Sequence, residues 1–406
     1  MSRRQMNASD RTEVFVASLS ESIKSIRLAK EAFTEEQYQN STPQQVLHRM
    51  LSTKSYISIT SSFAEKNNDA NSNAALGHFE EIGRGQCSTV YSLLGSTTIA
   101  KLPNTHAKVN ELRADYLMRN RIEHAMREHD PSHEISARLP KLDVLHHKES
   151  RFWAEYGLLF DSHVKVRDCA LISERVLPAP LPVREALVDA LLPTIIRCGK
   201  ENFLAKPENK NCLIRIYLGR RYTTKTQDRV HNLKLQNFPL HVSEMEQLGL
   251  DTAHFASLMA NTLAIVHWGA MVDGNDVEFI LGSSPAKRRV LPPKEAEAMT
   301  FRELCEATNF EFNHRAMEMW LIDFNQCTPI QDDQAGIDKL VKAFIFNDPY
   351  YPRPNQSDDR DKALWDVFRR EYLSTSRKLP ESSGPGMFIT RVETEGKKKK
   401  SIDNLF

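Results

Sequence analysis

Two glycines, a lysine and a set of carboxylates are the residues of this chain whose types and spacing could do chemistry on a phosphate. The segment Ile82-Gly83-Arg84-Gly85-Gln86-Cys87-Ser88-Thr89-Val90-Tyr91 lies between two strand-like runs, where glycine lets backbone N–H groups approach phosphate oxygens with no Cβ in the way. A tight hairpin would explain the same glycines. Lys101 follows in Ile99-Ala100-Lys101, either as a phosphate-holding ammonium or as an ordinary solvated strand lysine. Glu111 and Asp115 stand one helical turn apart in the next segment, and either could hold that ammonium; the spacing leaves both open. Further on, Asp273, Asp276 and Glu278 fall together, and Asp323 closes the apolar run Trp320-Leu321-Ile322. Magnesium takes oxygen ligands and commonly uses one or two protein carboxylates alongside phosphates and water. Glu278 and Asp323 at two adjacent strand ends would therefore suffice. A polar Asp/Asn turn is the alternative explanation for residues 273–276.

The elements that must position these groups can be read outward from them. From Phe79 onward, the β-branched runs Glu81-Ile82-Gly83 and Thr97-Thr98-Ile99-Ala100-Lys101 predict a small sheet with a turn at Gly95. Residues 107–128 contain no Gly or Pro, and Val109, Leu112, Tyr116, Ile122 and Met126 can share a face, so a helix is expected there. Further strands are expected at Trp153–Phe160, Cys169–Val176 and Cys212–Leu218. Asp251 is a favoured N-cap, and Phe255, Met259, Leu263 and Val266 follow at helical spacing up to His267-Trp268-Gly269. The polar stretch 283–316 reads as an insertion containing a helix, and helices are expected again at Ile337–Phe346 and Ala363–Leu373. The chain ends read differently. Residues 1–76 are expected to be a short helical region followed by a flexible linker. Residues 379–406, with the run Lys397–Lys400, are expected to form a disordered basic tail.

Composition narrows the function classes. The chain has 406 residues, 40% hydrophobic and 26% charged, enough for a sizeable core and unlike a fibre or a wholly disordered chain. Lysine plus arginine (54) nearly cancels aspartate plus glutamate (53), so nucleic acid is not an expected partner and any anion affinity must be local. The cysteines at 87, 169, 198, 212, 305 and 327 form no C-x-x-C pair, which argues against a structural zinc site and a secreted disulfide framework. No apolar run long enough for a signal peptide or membrane helix follows the basic N-terminus. The expectation is a soluble intracellular protein, in cytoplasm or nucleus, with no membrane partner.

Taken together, these motifs resemble the protein-kinase-like superfamily, which includes aminoglycoside and choline phosphotransferases. More closely, Ile82–Cys87, Asn237-Phe238-Pro239-Leu240, His267-Trp268-Gly269-Ala270, Asp276-Val277-Glu278-Phe279, Leu321–Cys327 and Asn347–Pro352 resemble a fungal family catalogued only as a domain of unknown function, some of whose members are labelled zinc finger proteins. That resemblance runs from about Phe79 to about Arg377. It implies an α+β, two-lobed protein-kinase-like fold: a small mainly-β N-lobe at 77–177, and a larger mainly-α C-lobe at 178–378 with its insertion near 283–316. It also implies ATP and magnesium as cofactors. Gly83, Gly85, Lys101 and one of Glu111 or Asp115 would serve the nucleotide, Glu278 and Asp323 would hold the metal, and Asp273 would act as base toward an unknown acceptor. The chain departs from active kinases at several of these points: Ser88 replaces the third loop glycine, Met271-Val272 replaces His-Arg, Asn275 stands where a lysine is usual, Glu278 replaces Asn, and Asn325 replaces Gly. Two functions are therefore in view, an ATP-dependent phosphotransferase and an inactive pseudokinase that binds a protein partner through its insertion. A nuclear regulator using the lysine tail is a third.

Overall fold

In the computed structural model the described residues are 31–53, 55–58, 77–164, 166–221, 233–285, 293–308 and 314–403. Strands β1 (Glu31–Phe33) and β2 (Ser55–Ser58) flank helix α1 (Pro43–Leu51). The helix starts at a reciprocal cap: the Thr42 hydroxyl accepts from Gln45 N, while the Gln45 side chain accepts from Thr42 N. This satisfies two donors that the first turn would otherwise leave unpaired. Val46, Leu47, Met50 and Leu51 form its buried stripe. A helix in this region agrees with the expectation, but Ser55–Ser58, expected as linker, form a strand that pairs with β1 and with His314–Ala316. The scattered apolar positions before residue 31, and the expected linker over 59–76, lie outside the described residues.

A five-stranded antiparallel sheet contains β3 (Phe79–Arg84), β4 (Ser88–Leu93), β5 (Thr98–Pro103), β6 (Leu142–His147) and β7 (Cys169–Glu174), in the order β3-β4-β5-β7-β6. Helix α2 (Val109–His129) packs beside it, burying Leu112, Asp115, Arg119, Ile122 and Met126 at i, i+3/i+4 spacing. The expected strand at Trp153–Phe160 is instead helical, an α-turn at Arg151–Tyr156 followed by a 3₁₀ turn at Gly157–Leu159. Aromatic β-propensity gives way to packing here. The helical turn stacks Phe152 on Tyr156 at 5.4 Å, and Phe160 stacks on Phe79 at 4.0 Å.

The second sheet has six strands, in the order β1-β2-β11-β10-β8-β9. Its further members are β8 (Ile214–Tyr217), β9 (Phe238–His241), β10 (Glu278–Pro285) and β11 (His314–Ile322). Between residues 178 and 378 helical residues outnumber strand residues, and the helices pack on this sheet, one edge of which (β1) comes from the N-terminal segment while β9 forms the other. The main core joins this sheet to α1, α3 (Leu181–Leu191), α4 (Thr252–Ala264), α5 (Gln334–Phe346), α6 (Asp359–Ser376) and α7 (Gly384–Asp403). Asp251 caps α4 by accepting from His254 N at 2.9 Å, and Phe255, Met259 and Leu263 are buried as their spacing predicts.

Helix α7 corrects the expected disordered tail. Phe388, Ile389 and Val392 are buried, and the Phe388 ring lies 5.1 Å from that of His267. Three apolar residues at i, i+1 and i+4 are enough to seat a helix whose other positions are polar, which is why average composition misreads it. The fold is α+β with two sheets. Among the described residues no helix is long and apolar enough to cross a membrane.

Candidate functional site

Strand β5 alternates Ala100 and Leu102, both buried, with Lys101, so the lysine leaves the sheet on the face opposite that core. Its Nζ lies 2.6 Å from Asp115 Oδ2 on α2 and 3.2 Å from Asp323 Oδ1 just past β11. The choice that sequence left open is decided for Asp115. Glu111 instead takes Lys108 Nζ at 2.6 Å. Burial by itself draws the Lys101 ammonium toward neutrality, but Asp115 and Asp323 outweigh it and hold the group above the usual lysine range.

Antiparallel pairing of β10 with β11 sets Glu278 opposite Ile322, bringing Glu278 and Asp323 to neighbouring strand ends. The two carboxylates are not equivalent. Glu278 is paired with Arg215 on β8, whereas Asp323 is paired with Lys101. Burial raises the Glu278 carboxyl despite Arg215, with Asp323 pushing the same way. Asp276 is likewise raised, first by burial and then by Asp323. The Cys327 thiol, whose Sγ donates to Asn275 O at 3.3 Å in the turn that carries Asp273 and Asp276, is raised by burial and then by the nearby aspartates. Met271, Asp276 and Asp323 all have positive φ, 53°, 62° and 66°. Such backbone is costly for non-glycine residues and concentrates at functional sites.

Asp273 is 6% exposed. Its Oδ1 accepts from Thr328 N at 2.8 Å and Asn275 N at 3.1 Å, and its Oδ2 accepts from the Thr328 hydroxyl at 2.5 Å. This carboxylate organises the turn that presents Asp276 and Glu278. Asn347 holds the same turn from α5, donating to Gly274 O at 2.9 Å and accepting from Asp276 N at 2.7 Å.

The β3–β4 connection meets the acidic cluster from the other sheet. Asn325 Nδ2 donates to Cys87 Sγ at 3.1 Å, and Gln236 Nε2 donates to Ile82 O at 3.2 Å. A Cβ built at Gly83 would meet only Gln236 Nε2, at 3.9 Å, and one at Gly85 only Ser88 O, at 3.7 Å. Both are ordinary contacts, and neither glycine has positive φ. The chain's own packing therefore does not require glycine at either position.

A family model matches residues 319–384. It is DUF3669, a domain of unknown function described as zinc finger protein, and the match runs from the end of β11 to the start of α7. No curated protein matches the chain. The matched stretch contains one cysteine, Cys327, and no histidine, too few for the four nitrogen and sulfur ligands of a structural zinc. Among the described residues no group of three or more His, Cys, Asp or Glu is placed to hold a metal ion.

Sequence reasoning missed Arg215, Thr328, Gln236 and the Cys87–Asn325 contact. Arg215 left a trace, a charged residue between buried Ile214 and Ile216 on a strand. Asp115 also left one, since it shares the α2 stripe of Leu112, Arg119 and Ile122, whereas Glu111 lies off it. Contacts across the two sheets leave no such local trace.

Proposed function

We propose that the chain is a two-lobed, protein-kinase-like protein that binds ATP with magnesium and acts as a phosphotransferase. The observation that carries this reading is Lys101, held by Asp115 from the neighbouring helix and by Asp323 from the end of β11. An ammonium fixed by a helix carboxylate, beside a second carboxylate and a glycine-bearing strand turn, is an arrangement that kinases use for phosphoryl transfer. Glycines that intramolecular packing does not require also fit a backbone meant for close approach by phosphate. Asn325 Oδ1, a buried acceptor with no hydrogen-bond partner among the described residues, suits an oxygen-ligated cation. Asp323 and Glu278 would hold magnesium, which when bound would neutralise phosphate charge. Lys101 would orient the phosphates, and the contacts made by Cys87 and Gln236 would exclude water. An intracellular setting accompanies the reading, with unpaired cysteines and a need for ATP.

Thermal unfolding with and without ATP and magnesium tests it. A ligand at about a hundred times its dissociation constant stabilises by roughly 2.7 kcal/mol, or a few degrees for a chain of this size. The expected result is a magnesium-dependent rise that Asp323→Asn abolishes. No rise with ATP or GTP, with magnesium or manganese, would sink the reading. One observation favours the pseudokinase instead: Asp273 already accepts three hydrogen bonds from Thr328 and Asn275, and Glu278 is paired with Arg215. A nucleotide-dependent rise without any conversion of ATP to ADP would establish that alternative.

A further inference from the structure

Strand β10 lies between β11 and β8, so Glu278 has Asp323 on one flank and Arg215 on the other. Arg215 pairs with Ile280, two residues along from Glu278, which puts both side chains on one face. Tyr217 shares that face, and its ring meets Tyr350 edge-on at 5.1 Å. Tyr350 is held there by main-chain bonds from the end of β8: Leu218 N donates to Tyr350 O at 3.1 Å and Gly219 N to Pro349 O at 2.9 Å. A Cβ at Gly219 would fall 2.4 Å from Tyr351 O, so this approach depends on glycine. The motif Asn347–Pro352 thereby connects the 273–278 turn, through Asn347, to the β8 flank, through Tyr350.

Two donors on that flank have no partner among the described residues: Arg215 Nε and the Tyr350 hydroxyl, the latter on a residue 7% exposed. Buried donors are nearly always paired, so two beside one carboxylate cluster call for a ligand that supplies acceptors. Burial, then the Glu278 carboxylate, holds the Tyr350 phenol well above its usual range, which keeps it an O–H donor. We propose that Arg215 and Tyr350 form a second ligand subsite, on the β8 flank of Glu278, for a neutral polyhydroxylated small molecule. It deepens the phosphotransferase reading, on which it rests for why such a molecule should sit beside a nucleotide. Charge selects the ligand class. Glu278 already balances Arg215, and Asp276 and Asp323 add negative charge, so a free oxyanion is repelled. A cation without acceptor atoms leaves both donors unpaired. A hydroxyl accepts from Nε–H or O–H while donating to a carboxylate.

Saturation-transfer NMR on the full chain, with myo-inositol, glucose and glycerol as probes and inorganic phosphate and choline as comparisons, tests the subsite in wild type, Tyr350→Phe and Arg215→Lys. At least one polyol is expected to bind wild type and to weaken tenfold or more in both variants. Tyr350→Phe is expected to melt no lower than wild type, because the hydroxyl it removes has no hydrogen-bond partner among the described residues. Absence of polyol binding, binding retained in both variants, preference for phosphate or choline, or a lowered melting temperature in Tyr350→Phe would each overturn the proposal. The ATP and magnesium shift is read in the same samples. Its absence beside Tyr350-dependent polyol binding would remove the nucleotide reading and leave the subsite standing.

Discussion

Lys101 lies between two carboxylates of unequal exposure, with 4% of the Asp115 side chain exposed and 36% of that of Asp323. Asp115 therefore depends on the lysine far more than Asp323 does. Lys101→Ala should destabilise by about 3–5 kcal/mol, because it strands a buried charge, and Lys101→Ala with Asp115→Ala should recover part of that loss. Denaturant unfolding of Lys101→Ala, Asp115→Ala and the double variant checks this; a double loss equal to the sum of the two single losses would mean that the pair is not coupled. Asp276 carries a pH dependence. Its carboxyl is raised above the ordinary 3.8 by burial and by Asp323, so folding favours the protonated form. That contribution is present below pH 3.8 and is lost as pH rises through the folded value. Asp276→Asn removes the penalty and keeps a residue that tolerates φ 62°. The variant should be more stable than wild type at neutral pH, with the gap closing as the pH falls below the ordinary aspartate range. A gap independent of pH would show that charge is not its cause.

Among the elements, α7 and α1 carry the clearest energetic expectations. Phe388 is fully buried against His267, Phe344 and Tyr372. Phe388→Ala should cost about 3–5 kcal/mol, and Leu47→Ala in α1 about 2–5 kcal/mol. Disordered termini would show no loss in either case, so the midpoint of denaturant unfolding decides. Neither helix is conspicuous in the sequence, since each presents a narrow apolar stripe in a polar segment. Helix α4 is conspicuous because its apolar positions recur over more than three turns behind an aspartate cap. The Arg151–Tyr156 helix was misjudged because aromatic residues suit a strand and a packed helical turn equally well.

Across the whole molecule, the two sheets meet at Lys101 with Asp323, at Arg138 with Met319 and Leu321, at Cys87 with Asn325 and at Gln236 with Ile82. The Cys87 and Gln236 contacts reach the β3–β4 connection and strand β3 from the side of the acidic cluster. Both are weak, since a sulfur acceptor and a partly exposed amide contribute little net stability. Cys87→Ala with Gln236→Ala should leave the melting temperature within a degree or two, while backbone amides over residues 84–88 exchange with deuterium several-fold faster. Unchanged exchange there would mean that strand pairing and the bonds from Asn104 to Gly85, Gln86 and Cys87 hold the connection without them.

Residue order by itself determined the α+β content, the helices from Asp251 and over 107–128, and the identity of the groups available for chemistry: Gly83, Gly85, Lys101, Asp273, Glu278 and Asp323. These are legible because helix and strand periodicity and side-chain chemistry are local properties. Tertiary structure alone decided which of them meet. It chose Asp115 over Glu111 through the buried face of α2, turned Asp273 inward onto Thr328, gave Glu278 an arginine partner from β8, and placed α1 and α7 against the core. Each of these outcomes rests on contacts between residues far apart in sequence. Their energies come from burial and pairing in the assembled fold, and nothing in a local window of residue types records them.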